Sequence, residues 1–282
     1  MAMAQDKPAY QLFDRQGKPA TYQQLEQAIR SADVILFGEL HNNPICHWLQ
    51  LQVTYSLHEA RPQALVMGAE MFEADNQLVL QEYLQGMITE QALKQEAKVW
   101  NNYDTDYAPL LNYARKHQIP FIATNIPRRY ASMVSRQGLA HLETLPQEAR
   151  NYIAELPIAL DLELPSYKNM LGMVQGHGHG GGMKPENFAA AQAIKDATMA
   201  HFILKNWSEG KQFLHFHGTY HSNNDEGIAW YLKKKAPSLK IITIASVEQK
   251  DIAKLDEASN GLGAFIICIP SDMTKTYISR FE

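Results

Sequence analysis

Six short apolar runs alternate with amphipathic stretches along the chain. VILF (34–37), ALVMGAEM (64–71), PFIATN (120–125), QFLHFHG (212–218), KIITIAS (240–246) and AFIICIP (264–270) are continuously apolar and rich in β-branched or aromatic residues. Strands covered on both faces have this appearance. Between the first two lies NNPICHWLQLQVTYSLHEARP, where Asn42 or Asn43 can cap a helix, Pro44 suits its first turn and Pro62 stops it. DNQLVLQEYLQG, TEQALKQEAKVW and YAPLLNYARKHQ carry further helical spacing, the last two with core faces from Leu93, Leu110, Leu111 and Tyr113. Strand–helix–strand alternation predicts an α/β protein with an open, mostly parallel sheet flanked by helices.

The rhythm breaks between about Arg129 and Phe188. This segment has no strand pattern, contains Pro146, Pro157, Pro165 and Pro185, and centres on the loop GHGHGGGMKP. It reads as a smaller helical insert domain (129–188) within an α/β main domain made of 1–128 and 189–282. The long amphipathic helix PENFAAAQAIKDATMAHFILKNW leads back to the sheet.

Ligands of open α/β sheets bind outside the carboxyl ends of the strands, so residues at those ends carry the candidate chemistry. The first strand delivers Glu39 and His41, the second Glu70 and Glu73, the third Asn125 and Arg128, and the fourth His215, His217 and His221. Two ends share one pattern, Gly38-Glu39-Leu40-His41 and Gly218-Thr219-Tyr220-His221. Glycine permits a tight exit and the imidazole three residues on can turn back over the sheet edge. His41, His221 and Glu70 are therefore candidates for acid–base catalysis, or equally for ligating a divalent metal. His215 and His217 share one strand face, and one of them is expected to be a packed core histidine. His47 and His58 lie too far apart on one helix for a shared metal, and Trp100, Trp207 and Trp230 read as core.

Composition narrows the classes. The 282 residues contain 45% hydrophobic positions, enough for a substantial core, and the formal net charge of -4 gives no footprint for nucleic acid. No apolar run reaches the roughly 20 residues of a membrane-spanning helix. MAMAQDKPAYQ has no signal-peptide core, so the chain reads either as cytoplasmic or as a mature form without its leader. Cys46 and Cys268 sit in apolar patterns and read as buried thiols. There is no Gly-x-Ser-x-Gly elbow for a serine hydrolase.

The insert adds a different chemistry. Tyr167, Met170, Met173, His177 and His179 cluster in SYKNMLGMVQGHGHGGGM. Tyrosine, histidine and methionine are the side chains that ligate haem iron axially, and an apolar helical pocket suits the macrocycle. The alternative is a Gly-rich loop whose histidines face solvent.

GELHNNPICH, GAEMFEADNQLVLQEYL, VWNNYDTDYAPLLNYAR, IPFIATNIPRRY, FAAAQAIKDATMAHFI and HGTYHSNNDEGIAWYL resemble, in order and spacing, the blocks of the ChaN-like haem-binding lipoproteins, from about Val34 to Leu232. The resemblance implies haem as cofactor, a role in bacterial iron or haem acquisition, and an outer-membrane-associated lipoprotein of the cell envelope. It also implies a haem-bridged homodimer, an outer-membrane haem or iron transporter as partner, and a tyrosine of the insert on the iron. Tyr167 is the expected ligand, with Tyr152 second and His177 or His179 as partner. The fold is similar to that of erythromycin esterases and the TIKI and TraB proteins, where paired Gly-x-x-His elements and a glutamate form an active site. That implies His41, His221 and Glu70 here. The family is anchored through an N-terminal cysteine, which the start of this chain lacks; loss of a leader is expected to account for it. Two functions follow: haem binding at the insert, and a metal-dependent hydrolase or iron-removing, haem-processing enzyme at the strand ends.

Overall fold

The computed structural model describes residues 6–176 and 184–278. A short hairpin, β1 (Gln11–Asp14) and β2 (Pro19–Ala20), precedes helix α1 (Tyr22–Arg30). β3 (Val34–Glu39), α2 (Pro44–Ala60), β4 (Leu65–Glu73), α3 (Gln77–Leu84), α4 (Glu90–Glu96), α5 (Ala108–His117) and β5 (Phe121–Asn125) follow. Next come α6 (Arg128–Gln137), α7 (Gln147–Arg150), α8 (Pro165–Gly176) and the long α9 (Pro185–Asn206). The chain finishes with β6 (Gln212–Gly218), α10 (Ile228–Lys235), β7 (Ile241–Gln249) and β8 (Phe265–Pro270).

The strands form one eight-stranded sheet in the order β2-β1-β8-β7-β3-β6-β4-β5. β3 to β8 run parallel, and the β1–β2 hairpin adds antiparallel at the β8 edge. All six expected strands are present. The hairpin and α1 carried no expectation, because QLFD and PA offer too few apolar positions to register as strands.

Period-2 alternation divides the core. Ile35, Phe37, Met67 and Phe216 face the helix layer containing α2 and α5, while Val34, Leu36, Val66 and Phe213 face α6, α9 and α10. Helix α2 starts as its residues dictate: the Asn43 side chain accepts from Ile45 N at 3.0 Å and Pro44 occupies the first turn. The segment after β5 is helical, as its lack of strand pattern predicts. Val134, Leu142 and Ile153 bury into the same cluster as Val34 and Leu36, so its first half packs directly on the sheet layer. A smaller cluster sets Tyr167 of α8 against Ala189 and Ala193 of α9.

Candidate active site at the strand ends

β3 and β6 are neighbours, paired in parallel so that Gly38 lies opposite His217 and Glu39 opposite Gly218. The two Gly-x-x-His elements therefore leave the sheet side by side. Their glycines are required by contact. A Cβ on Gly38 would lie 2.8 Å from Thr219 Cα, and one on Gly218 would lie 2.8 Å from both Cε1 and Nε2 of His41. The His41 ring rests on the Gly218 backbone. Gly218→Ala is expected to push the imidazole off its seat and cost about 1–3 kcal/mol as an overpacked contact. Urea unfolding together with the His41 ring signals in NMR would show it; unchanged ring shifts would refute the contact.

Glu39 is buried, with three side chains bonded to it. Tyr107 Oη donates at 2.7 Å, the Gln50 amide donates, and His41 Nδ1 lies 2.9 Å away. Burial alone would raise its pKa; the His47 and His41 imidazoles override that and lower it. His41 shows the reciprocal balance: burial pulls its pKa down, and the bond to Glu39 and its charge raise it. The His41 side chain is 46% exposed and meets Trp100 edge-on at 5.0 Å. With Nδ1 committed to Glu39, its Nε2 is the nitrogen left to act. The opening is a cavity of about 700 Å³ whose lining includes Trp100, Arg128, Tyr220 and Lys275.

Behind His41 lies a second, closed cluster. Glu70 leaves β4 where its register with β5 shifts between Ala69 and Glu73, accepts the Gly218 N–H at 2.8 Å and meets His221 Nε2 at 3.2 Å. The other His221 nitrogen bonds Asp196 of α9, and Asp196 in turn accepts from Tyr167 Oη at 2.9 Å. Burial would make His221 a weaker base, but Glu70 and Asp196 hold its pKa up at about 10. Burial would likewise raise Glu70, and the His221 charge instead holds it well below the carboxylate range. His221 is a fixed imidazolium that donates from both nitrogens.

That geometry bears on two expectations. His221 spends both nitrogens on carboxylates, His41 spends one on Glu39, and Glu70 is filled by Gly218 and His221. Among the described residues, no group of three His, Cys, Asp or Glu side chains is placed to hold a metal ion. The divalent-metal reading of His41, His221 and Glu70 thus has no support in the donor arrangement. Tyr167, expected on haem iron, is 1% exposed with its hydroxyl on Asp196, and burial with that negative neighbour disfavours the phenolate. Tyr152 stands at the surface, 36% exposed. His177 and His179 lie outside the described residues.

His215 and His217 share a face, as alternation required, and both are core: His215 Nε2 meets Thr124 Oγ1 at 2.7 Å and His217 Nε2 meets Ser222 Oγ at 2.8 Å. Burial lowers both, His217 to about 3, so they are neutral packing groups. Asp196, Gln50, His47 and Tyr107 were not anticipated in the site. The available signal for Asp196 was a lone acid within the alanine-rich stretch AAAQAIKDATMA.

The family model described as "Haem-binding uptake, Tiki superfamily, ChaN" matches residues 25–232. The chain belongs to this family. The ChaN match opens in α1 and closes in α10, so it contains Glu39, His41, Glu70, Asp196 and His221, while Lys275 at the cavity comes from beyond it. A solved structure of Campylobacter jejuni ChaN, titled for cofacial haem binding, superposes with a TM-score of 0.70 at 15% identity, covering 93% of this chain and 97% of that one. The type III effector HopBA1 matches with a TM-score of 0.47 at 11% identity over 87% of this chain and 91% of its own. An erythromycin esterase mutant, EreC in its open conformation, also gives 0.47, at 10% identity over 88% and 78%. No curated protein sequence matches.

Proposed function

We propose that this protein binds haem on the side of the helical insert and serves bacterial iron or haem acquisition. The observation that carries the reading is the ChaN family match across most of the fold. The Campylobacter jejuni relative, titled for cofacial haem binding, supports haem as the ligand class, and a haem-bridged homodimer is the assembly proposed with it. Work at the cell envelope, as an outer-membrane-associated lipoprotein exchanging haem with an outer-membrane transporter, completes the proposal. Titrating the purified chain with hemin should shift the Soret band away from that of free hemin. Light scattering should show the mass doubling as hemin is added. A spectrum identical to free hemin at every ratio would end the reading, and a constant mass would remove the bridged dimer.

A second reading, favoured by the Glu39–His41 contact of 2.9 Å, is acid–base chemistry at the strand ends. His41 Nε2 would take a proton from water or substrate, with Glu39 stabilising the imidazolium. Esterase and amidase panels, together with assay for metal-free porphyrin after incubation with hemin, test it. Turnover that His41→Ala leaves intact would place the chemistry elsewhere.

A further inference from the structure

Beyond β8 the chain turns back over the carboxyl ends of the strands. Residues 271–278 have no regular structure and follow the segment that the family model matches. Hydrogen bonds nonetheless tie them to the loops around His41. The Thr276 N–H donates to Asn42 O at 2.9 Å, and the Asn42 amide donates to Tyr277 O at 3.1 Å. Thr276 Oγ1 donates to Asp106 Oδ2 at 2.6 Å, in the π-helical turn Tyr103–Tyr107 that also places Tyr107 on Glu39. Asn101 Nδ2 donates to Tyr277 Oη at 3.0 Å, and Met273 packs against the main core. A segment held in this way is a strap. It puts Lys275 and Tyr277 into the wall of the cavity that His41 also lines.

We propose that the strap completes an anion-binding pocket beside His41, so that the strand-end site takes a small substrate carrying a carboxylate or phosphate group. Lys275 grips that group together with Lys98 and Arg128. This rests on the acid–base reading of His41, for which it supplies the substrate class.

The charges of the wall carry the argument. Its cations are Lys98, Arg128 and Lys275, and its carboxylates are Glu39 and Glu248. Glu39 is buried and spent on His41, Gln50 and Tyr107, which leaves Glu248 as the acid at the strap. Glu248 accepts from the Asn43 amide at 2.7 Å and from Lys275. That contact uses one of the three N–H donors of the Lys275 ammonium and fixes its position, so two donors remain for a ligand. The Lys275 side chain is only partly exposed, and a charge-assisted bond made there is stronger than one in open water. Arg128 lies at the start of α6 with an exposed side chain, its Nε 3.8 Å from Glu73, beyond hydrogen-bond range. Its planar fork is left to meet an oxyanion with two parallel bonds. Lys98 is held in left-handed backbone, φ 47°, which is uncommon for a residue with a Cβ. Strain of this kind gathers where a ligand must be met. Two residues on, Trp100 carries the ring that meets His41, and with the exposed Tyr220 it offers apolar surface to the rest of the substrate. In the reaction His41 Nε2 takes a proton from water and the water oxygen bonds the acyl carbon. The ester C–O bond then breaks, and the imidazolium returns the proton to the leaving oxygen.

The test follows the His41 ring protons of the full chain by NMR during titration with succinate, inorganic phosphate and uncharged dimethyl succinate. The two anions should give saturable shifts that added sodium chloride weakens, and dimethyl succinate should give none. The tighter of the two identifies the group as carboxylate or phosphate. Lys275→Gln and Lys98→Gln should each weaken anion binding about tenfold. Thr276→Val, which loosens the strap with every cation in place, should weaken it as well. Lys234→Gln, which removes the same charge from α10, should leave it unchanged. In the kinetic arm, the p-nitrophenyl monoester of succinate should be hydrolysed with a lower KM than p-nitrophenyl acetate, and Lys275→Gln should raise the first KM far more than the second. If dimethyl succinate shifts His41 as succinate does, or if Lys275→Gln keeps the wild-type affinity, the anion pocket is wrong whatever turnover His41 supports. Anion binding without turnover of either ester upholds the pocket and removes the acid–base reading.

Discussion

Replacing His221 by alanine is expected to cost about 3–5 kcal/mol of stability, the range for removing one partner of a buried ion pair. The mutation leaves Glu70 and Asp196, both buried, without the cation between them. Two carboxylates cannot both stay ionised in that space, so one must take up a proton or the strand ends must open. The effect has a pH signature. His221 has a folded pKa of about 10 against 6.5 for the free side chain. Its contribution is fully present below pH 6.5 and is lost as pH rises toward 10. Wild-type stability should thus fall across that window, and the His221→Ala profile should lack the decline. The acid side is less diagnostic. Glu70 is depressed and favours folding above the ordinary carboxylate range, while burial raises Asp196 and gives it the opposite sign. Urea unfolding of both proteins from pH 5 to 10 is the measurement. A loss under 1 kcal/mol at pH 7 would mean that the carboxylates reach water when the imidazole is gone.

The second large effect concerns Glu39. Glu39→Ala strands the Tyr107 hydroxyl, the Gln50 amide and His41 Nδ1 in one step. An unsatisfied buried donor costs about 1–3 kcal/mol, so a combined loss of about 3 kcal/mol or more is expected. Glu39→Gln keeps an oxygen for Tyr107 and should restore most of that stability. The two variants should agree on His41. Glu39 is what lifts its pKa against burial, so the value should fall in both, to or below the ordinary 6.5. Following the His41 ring proton by NMR across pH 5 to 9 separates the roles. A His41 pKa unchanged in Glu39→Gln would show that the carboxylate only fills space.

The alternation of apolar runs and amphipathic stretches was sufficient for the parallel core. β3, β4 and β6 are buried along almost their whole length and β8 through its middle, so apart from the polar groups gathered toward their carboxyl ends their runs are mainly apolar, and a continuous β-branched run has few other solutions. The β1–β2 hairpin lies at an edge and escapes that demand, which is why QLFD and PA were illegible. Within the site, Gly38, His41, Gly218 and His221 announced themselves by a local spacing. Their meaning did not. Whether His221 is a ligand, a base or a fixed cation depends on Asp196, 25 residues before it, and Glu70, 151 residues before it.

The amino-acid sequence by itself determined the fold class, the strands and the end of the sheet where polar groups gather, because burial on two faces and glycine-supported exits are written in consecutive residues. Only the tertiary structure decided the charge states of His215, His217 and His221 and the places of Tyr152 and Tyr167. Tyr167 and Tyr152 are the same residue type in the same insert, yet one gives its hydroxyl to a buried aspartate and the other stands at the surface. Protonation and ligation are set by the partners within about 3 Å of an atom, and those partners come from distant positions that only folding brings together.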